Sequence, residues 1–296
     1  MHFISEFTQL TQEKRRNMPG PLRRTSAAYM MKKKKGGCLM REKLAQIERL
    51  KMRYGTVNAV TDVSFELYEG EILALIGPNG SGKTSTVECL EGLRKPTGGK
   101  IELLGCNPHE NRRQIYKEIG IQLQETEYPD NIRVKELCRL FSAFYDRPVN
   151  WQALLEQLGL SEKANRMVKK LSGGEKQRLS ILLALLPHPK ILILDELTTG
   201  LDPEVRRGMW ESLKQIRQSG TTILLVSHYL DEVEYLADRL VYLESGRSRF
   251  VGSLDEFRNF VRSKVPAEDW KESLTLEEVY LLMSPKTETL RWEGIL

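Results

Sequence analysis

The chain has 296 residues, 40% of them hydrophobic and 29% charged, an ordinary composition for a globular protein of one large or two modest domains. Its longest unbroken apolar runs, residues 72–76 and 181–186, fall far short of the roughly 18 residues of a membrane-spanning helix. No transmembrane helix is therefore expected. The four cysteines form no CxxC pair and have no histidine at metal-ligand spacing, which argues against structural zinc and favours a reducing compartment.

The positive charge is concentrated at the start of the chain. Residues 1–42 carry 10 Lys or Arg against 3 Asp or Glu, which leaves 35 basic against 37 acidic residues elsewhere. This segment has little apolar periodicity and is predicted to be a disordered basic extension. Two interpretations stay open: a tail that rests on anionic lipid, or an extension unrelated to the working fold. The nearly neutral remainder gives no reason to expect a nucleic-acid partner.

Apolar patterns along the chain predict an α/β protein. Alternation from about residue 44 to residue 65 predicts antiparallel strands. The apolar runs at residues 72–76, 191–194 and 223–226 are typical of strands buried on both faces of a mostly parallel sheet. Between them, helical patterns at 134–144, 151–158 and 175–186 predict a helical subdomain inserted at about residues 112–186.

A glycine-rich segment directly follows the first buried strand and precedes a helix. In this context small residues let the backbone amides surround a phosphate, and the helix N-terminus adds partial positive charge. Lys83 would reach the β- and γ-phosphates, and the Thr84 hydroxyl would bind Mg²⁺. The candidate nucleotide-binding residues here are Gly77, Pro78, Asn79, Gly80, Ser81, Gly82, Lys83, Thr84 and Ser85. The fold class is thus an α/β P-loop NTPase core with an N-terminal antiparallel β subdomain and an inserted helical subdomain.

Two adjacent acids, Asp195 and Glu196, end the second buried strand. Open α/β sheets bind their ligands beyond the carboxyl ends of the strands, so both acids are placed at the predicted site. Asp195 is expected to orient Mg²⁺. Glu196 is expected to hold and activate the attacking water.

The most specific segment is residues 171–178, Leu-Ser-Gly-Gly-Glu-Lys-Gln-Arg. Ser172 and Glu175 have capping-box spacing, and Gly173 and Gly174 beside a helix N-terminus would form a second anion site. The segment resembles the signature of ATP-binding-cassette (ABC) ATPases, and the resemblance covers about residues 44–246. A second anion site in one chain implies a head-to-tail dimer with ATP at the interface, formed by two copies or by two paralogues.

The resemblance assigns four further residues by position. Gln124 falls at the Q-loop and would contact Mg²⁺ and the water, although Gln122 leaves the register open. Asp202 falls at the D-loop that crosses the dimer interface. His228 falls at the switch histidine that binds the γ-phosphate, and Tyr54 at the aromatic residue that stacks on adenine. The sequence departs from the usual pattern at Leu197, where many members have proline; no chemical group is affected.

The resemblance implies an ATPase subunit of an ABC transporter, peripheral to the cytoplasmic face of the membrane, with the permease on a separate chain. Residues 126–129 are the expected permease contact. Residues 195–203 and 250–257 are similar to the drug- and polyketide-export branch, which favours export. Residues 247–296 are expected to form a small appendix to the ATPase domain at 43–246. The alternative is an ABC ATPase that acts on DNA or ribosomes, disfavoured because the chain has a single cassette and no coiled-coil arm.

Overall fold

A computed structural model describes residues 41–122, 128–129, 131–271 and 273–283. Its strands are β1 (Lys43–Tyr54), β2 (Val57–Tyr68), β3 (Ile72–Ile76), β4 (Gly98–Leu103), β5 (Ile119–Gln122), β6 (Ile191–Asp195), β7 (Thr222–Val226), β8 (Arg239–Glu244) and β9 (Arg247–Ser253). Its helices are α1 (Lys83–Leu90), α2 (Arg112–Ile115), α3 (Val134–Ser142), α4 (Trp151–Gln157), α5 (Gly173–Leu185), α6 (Pro203–Gln218), α7 (Leu230–Leu236), α8 (Leu254–Arg262) and α9 (Leu276–Met283). The predicted extension, apart from residues 41 and 42, and Gln124 lie outside the described residues.

The strands form one sheet in the order β4-β1-β2-β9-β8-β3-β7-β6-β5. Strands β8, β3, β7, β6 and β5 run parallel to one another, whereas β4, β1 and β2 are antiparallel. Strand β9 connects the two parts, since it pairs antiparallel with β8 and parallel with β2. The mixed α/β fold with a mostly parallel core confirms the predicted fold class.

The central strands are apolar without alternation because helices cover both of their faces. Leu73 and Leu75 of β3 belong to the same buried cluster as Val87 of α1. The alternate residues Ala74 and Ile76 belong to a second cluster on the opposite face, with residues of α7, α8 and α9. These four side chains of β3 are at most 1% exposed. This double burial fixes the strand whose end carries the glycine-rich segment.

Strands β4, β5, β8 and β9 were not predicted from the sequence, and two of them lie in ranges that the sequence assigned to other structure. Ile119–Gln122 lies in the range assigned to helices, yet it is the edge strand β5 and pairs in parallel with β6. Arg247–Ser253 lies in the range assigned to the appendix, yet it is strand β9 of the main sheet. Each is short or polar on its own, and its pairing with a distant strand decides its structure.

The helices α3, α4 and α5 share one buried cluster with the parallel strands. This cluster contains Leu137, Leu154 and Leu182 from the helices and Leu192 and Leu194 from β6. The predicted helices at 134–144, 151–158 and 175–186 correspond to α3, α4 and α5 with small shifts at their ends. No helix in the described ranges is long and apolar enough to cross a membrane.

Candidate active site

Three segments meet at one edge of the parallel sheet. Strand β7 lies between β3 and β6, and all three run in the same direction. Their carboxyl ends are therefore neighbours. The segment from Gly77 follows β3, Asp195 ends β6, and His228 follows β7. The sheet thus brings together residues that are up to 151 positions apart in the sequence.

The segment between β3 and α1 is a tight loop that only glycine can form at two positions. A Cβ atom on Gly77 would lie 2.2 Å from the main-chain oxygen of Leu243. Gly82 has a φ of +98°, and a Cβ atom there would lie 2.7 Å from the main-chain oxygen of Ala59. The left-handed conformation and the close backbone approach both exclude larger residues. Gly82 is also the N-cap of α1, so the loop leads directly into a helix N-terminus.

Lys83 places its charge inside this loop. The residue is 8% exposed, and its Nζ donates hydrogen bonds to the main-chain oxygens of Gly77 at 2.8 Å and Pro78 at 3.1 Å. Burial lowers the pKa of Lys83, while the carboxylates of Glu196 and Asp195 act in the opposite direction. The lysine is therefore held at the centre of the site, between the loop and the acidic pair.

A buried hydroxyl in the same loop has no partner. The Oγ atom of Ser81 has no hydrogen-bond partner among the described residues, and the residue is 2% exposed. Such an atom is uncommon in a folded protein because an unpaired buried polar group is costly. Together with Lys83 and the N-terminus of α1, it fits a loop that holds phosphate oxygens. Thr84 follows in the first turn of α1 with its side chain exposed.

The two acids of the pair differ: Asp195 has a raised pKa, and Glu196 has a strained backbone. Burial first, and then the charge of Glu196, raise the pKa of Asp195 to about 6. Glu196 has a φ of +50°, a left-handed conformation that costs a non-glycine residue about 1–2 kcal/mol. Its N–H donates to the main-chain oxygen of Val226 at 2.9 Å. Strain of this kind is concentrated at functional sites, where it aims a side chain.

His228 lies beside the carboxylate of Glu196. The distance from His228 Nδ1 to Glu196 Oε1 is 3.4 Å, and the side chains are 41% and 24% exposed. An acid and an imidazole in direct contact can both hydrogen-bond to one water molecule bound beside them and polarise it. With Lys83 near enough for the charges of both acids to act on its pKa, the site has the components for attack of water on a terminal phosphate.

The predicted signature lies on a separate part of the surface. Ser172 caps α5: its Oγ accepts from Glu175 N–H at 3.3 Å, and Glu175 Oε2 accepts from Ser172 N–H at 2.8 Å. Ser172 and Gly173 are exposed. Gly174 is buried against Val205, and a Cβ atom at this position would lie only 2.6 Å from Cγ1 of Val205. Within the described residues no hydrogen bond or salt bridge joins this segment to the phosphate loop.

Asp202 and Tyr54, the two other residues that the sequence assigned to nucleotide binding, each lie at the end of an element. Asp202 is exposed and is the N-cap of α6, which begins with Pro203. Tyr54 ends β1 with 37% of its surface exposed, and its hydroxyl donates to Glu88 Oε2 of α1 at 3.1 Å. The Arg94 guanidinium lies 5.7 Å from the Tyr54 ring centre. The aromatic ring therefore stands beside the helix that starts at the phosphate loop.

Sequence reasoning missed two buried acids near the site. Glu91 is 5% exposed, and burial first, then Asp195, raise its pKa to about 8. Glu232 is fully buried and accepts three hydrogen bonds. The signal for Glu91 was its spacing: it lies four positions after Val87, on the apolar face of the helix.

The fold and the site define a P-loop nucleotide-binding protein of the α/β class. The ABC transporter family profile matches residues 60–199. A protein of Paraburkholderia xenovorans named Nod factor export ATP-binding protein I is 36% identical to this chain over 214 residues, which cover 70% of each protein. The protein of the same name in Cupriavidus pinatubonensis is 37% identical to this chain over 211 residues, which cover 69% of this chain and 64% of that protein. The chain thus spans just under two thirds of that relative.

Solved structures agree with these sequence comparisons. An ATP-binding subunit of an ABC transporter superposes with a TM-score of 0.71 at 27% identity, covering 81% of this chain and all of that one. A dimeric bacterial ABC transporter cassette has the same fold, with a TM-score of 0.62 at 24% identity over 71% of this chain and 98% of that one. The chain belongs to the ABC transporter family of ATP-binding cassettes, which hydrolyse ATP to power transport.

Proposed function

We propose that this chain is the ATP-hydrolysing subunit of an ABC exporter. The observation that carries the proposal is the carboxylate of Glu196 held 3.4 Å from His228, at the sheet edge that also holds Lys83. Glu196 and His228 would orient and polarise the attacking water, and Lys83 would neutralise charge on the phosphates. The exposed ring of Tyr54 would stack on adenine.

The donor set at this edge also fits a magnesium ion. The Thr84 hydroxyl and the Asp195 carboxylate are hard oxygen ligands, and Gln124 is proposed as a third by its position in the sequence. A bound Mg²⁺ would stabilise negative charge on the phosphate oxygens. The raised pKa of Asp195 agrees with a carboxylate placed where a cation is needed to offset its burial.

Hydrolysis in this proposal requires two cassettes. Ser172, Gly173 and Asp202 are exposed, and within the described residues they make no hydrogen bond to the phosphate loop of their own chain. A head-to-tail dimer would bring the Ser172 surface of one protomer to the ATP on its partner. The partner is a second copy or a paralogue. The dimeric cassette among the structural neighbours supports this arrangement at the level of the fold.

Neutralising Glu196 tests the assignment. Glu196→Gln keeps the shape of the side chain but removes the base, so we expect ATP binding to persist and turnover to fall by about 100-fold or more. ATP should then hold the variant as a dimer in size-exclusion chromatography. Glu156→Gln, which neutralises an exposed acid of α4, is the control and should behave as wild type. Unchanged turnover in Glu196→Gln would refute the assigned role.

An apolar patch at the C-terminal end of α3 and just beyond it is the proposed contact with a separate permease. Leu140 is 48% exposed and Phe144 69% exposed. Phe144 makes an edge-to-face contact with Phe141 at 5.9 Å, and Phe141 another with Tyr128 at 6.4 Å. Residues 126 and 127 of the expected contact lie outside the described residues. Exposed aromatic groups of this kind mark protein interaction sites.

Export through a permease at the cytoplasmic face of the membrane is favoured over action on DNA or ribosomes. The relatives that support it are named for Nod factor export. The substrate of this chain is left open, because a permease would contact it. Purification of the tagged chain from its native membranes should recover a multi-helix membrane protein. Recovery with ribosomes or nucleic acid instead would contradict the transport proposal.

A further inference from the structure

A buried carboxylate lies beneath the candidate active site. The side chain of Glu232, in α7, is fully buried. Its Oε2 accepts from Ser227 Oγ at 2.6 Å, and its Oε1 accepts from Thr198 Oγ1 at 3.0 Å and from Trp210 Nε1 at 2.9 Å. We call these four residues the Glu232 cluster. Every donor comes from a side chain that is itself at most 7% exposed.

Each partner of Glu232 belongs to a different segment of the site. Ser227 immediately precedes His228. Thr198 follows Glu196 by two positions. Trp210 lies in α6, the helix that begins directly after the D-loop. A single carboxylate therefore joins the segment that carries the histidine, the segment that carries the acid, and the helix that leads away from the dimer surface.

Hydrogen bonds hold the backbone in place on both sides of His228. The N–H of Tyr229 donates to Ser227 Oγ at 3.0 Å, and the same hydroxyl donates to Glu232. The hydroxyl thus bridges the residue after His228 to the buried carboxylate. On the other side, Val226 accepts from the N–H of Glu196. Two sets of contacts therefore act on the relative position of His228 and Glu196: the main-chain bond from Glu196 to Val226, and the bonds from Ser227 and Thr198 that meet at Glu232.

Stability alone does not account for a carboxylate at this position. A buried acid is costly, and well-packed apolar residues commonly replace buried charged groups without loss of stability. Burial raises the pKa of Glu232, and the hydrogen bonds from Ser227, Thr198 and Trp210 oppose that effect. Unlike an apolar side chain, the carboxylate accepts hydrogen bonds from three donors at once, and these bonds fix three segments relative to one another.

We propose that Glu232 is a positioning residue for ATP hydrolysis, which holds His228 against Glu196 through the hydroxyl of Ser227. This inference rests on the proposed function, because it concerns the same hydrolytic step. Glu232 touches neither nucleotide nor water in this scheme. Its effect is on the alignment of the two groups that do, and a misplacement of about 1 Å at a reacting centre can cost roughly 100-fold in rate.

The test compares variants of the full chain that alter single hydroxyl or carboxyl groups. Ser227→Ala removes the bridge to Tyr229 and Glu232. Ser227→Thr keeps the hydroxyl. Glu232→Gln keeps the oxygen that accepts from Thr198 and Trp210 but places an NH₂ group against Ser227. Thr222→Val is the matched control, since Thr222 is a fully buried residue at the start of β7, the strand that Ser227 follows, and its hydroxyl accepts from Gly70 N–H.

We expect Ser227→Ala and Glu232→Gln to lower kcat for ATP hydrolysis by about 10- to 100-fold, with KM for ATP within about two-fold of wild type. Ser227→Thr should restore kcat, and Thr222→Val should leave it unchanged. Thermal unfolding of each variant separates lost alignment from lost fold. If Glu232→Gln fails to fold, Ser227→Ala against Ser227→Thr decides the question.

Three results would overturn the inference. Wild-type kcat in Ser227→Ala is the first, and an equal loss of kcat in Thr222→Val is the second. The third is a failure of Ser227→Thr to restore kcat while it folds normally, because the hydroxyl would then have no role. A wild-type chain without ATP hydrolysis, alone or with its permease, is a different outcome: it contradicts the proposed function itself.

Discussion

Glu91 has its carboxyl group buried just beyond the end of α1, in the electrostatic field of Asp195. Its pKa is raised from 4.5 to about 8, mainly by burial. We therefore predict that Glu91→Gln changes how the stability of the protein depends on pH. Glutamine preserves the size of the side chain and removes its titration, so the substitution isolates the cost of ionising this group.

The direction and size of the effect follow from the two pKa values. Below about pH 4.5 the carboxyl group is protonated in both states and contributes no difference. Between about 4.5 and 8 the folded protein keeps a proton that the unfolded chain has lost, so stability falls as pH rises through this window. Above about 8 the loss is complete and amounts to on the order of 5 kcal/mol. Glu91→Gln should remove that loss.

Urea unfolding followed by circular dichroism at about pH 5, 7 and 8.5 measures the effect. The variant should be close to wild type near pH 5 and more stable by a few kcal/mol near pH 8.5. Glu110→Gln, at an exposed glutamate, is the control and should follow the wild-type curve. A Glu91→Gln curve parallel to that of the wild type would show that the carboxyl group is not held protonated by burial.

Two further predictions concern the phosphate loop and the apolar patch on α3. Gly82→Ala should lower ATP affinity by roughly 100-fold, measured by nucleotide titration, because φ is +98° and the new methyl group would lie 2.7 Å from the oxygen of Ala59. Gly80→Ala, with open space around the methyl group, should lose much less. Phe144→Ser should reduce the membrane protein recovered with the chain while leaving ATP binding unchanged, whereas Val57→Ser, at another exposed apolar residue, should reduce neither.

Equal losses in Gly82→Ala and Gly80→Ala would contradict the first of these predictions, since backbone strain alone and not the close approach would then explain both. Recovery of the membrane protein in wild-type amounts with Phe144→Ser would contradict the second. The contact would then lie elsewhere on the cassette.

Features set by neighbours in the sequence were predictable. The apolar run of β3 followed by Gly77 and Lys83 predicts a strand, a loop and a helix start, and the structure has all three. The spacing of Ser172 and Glu175 predicts a capping box, and both of its hydrogen bonds are present. In each case the determining groups lie within a few residues of one another, so a local pattern carries the whole argument.

Features set by distant pairing were not predictable in the same way. Strand β5 has four residues, one of them a glycine, and is a strand because β6 lies beside it. Strand β9 has only two large apolar residues, Phe250 and Val251, which are adjacent, and it would suit many surfaces. Its position between β2 and β8 depends on the hairpin with β8 and on the bridge from Asp62 to Arg247. No periodicity within either strand contains that information.

The sequence indicated only some of the acidic residues in and around the candidate site. Asp195 ends an apolar strand, so its position alone indicated a role. Glu91, directly after α1, and Glu232, in α7, stand in patterns that suit either a buried or an exposed acid, and the packing of other segments onto them decides. In all three, burial is the first cause of a raised pKa. Such groups are concentrated where charge is used rather than where it stabilises the fold. Here Glu91 and Glu232 both lie near the hydrolytic residues, and of the two only Glu91 had a local signal, its spacing from Val87.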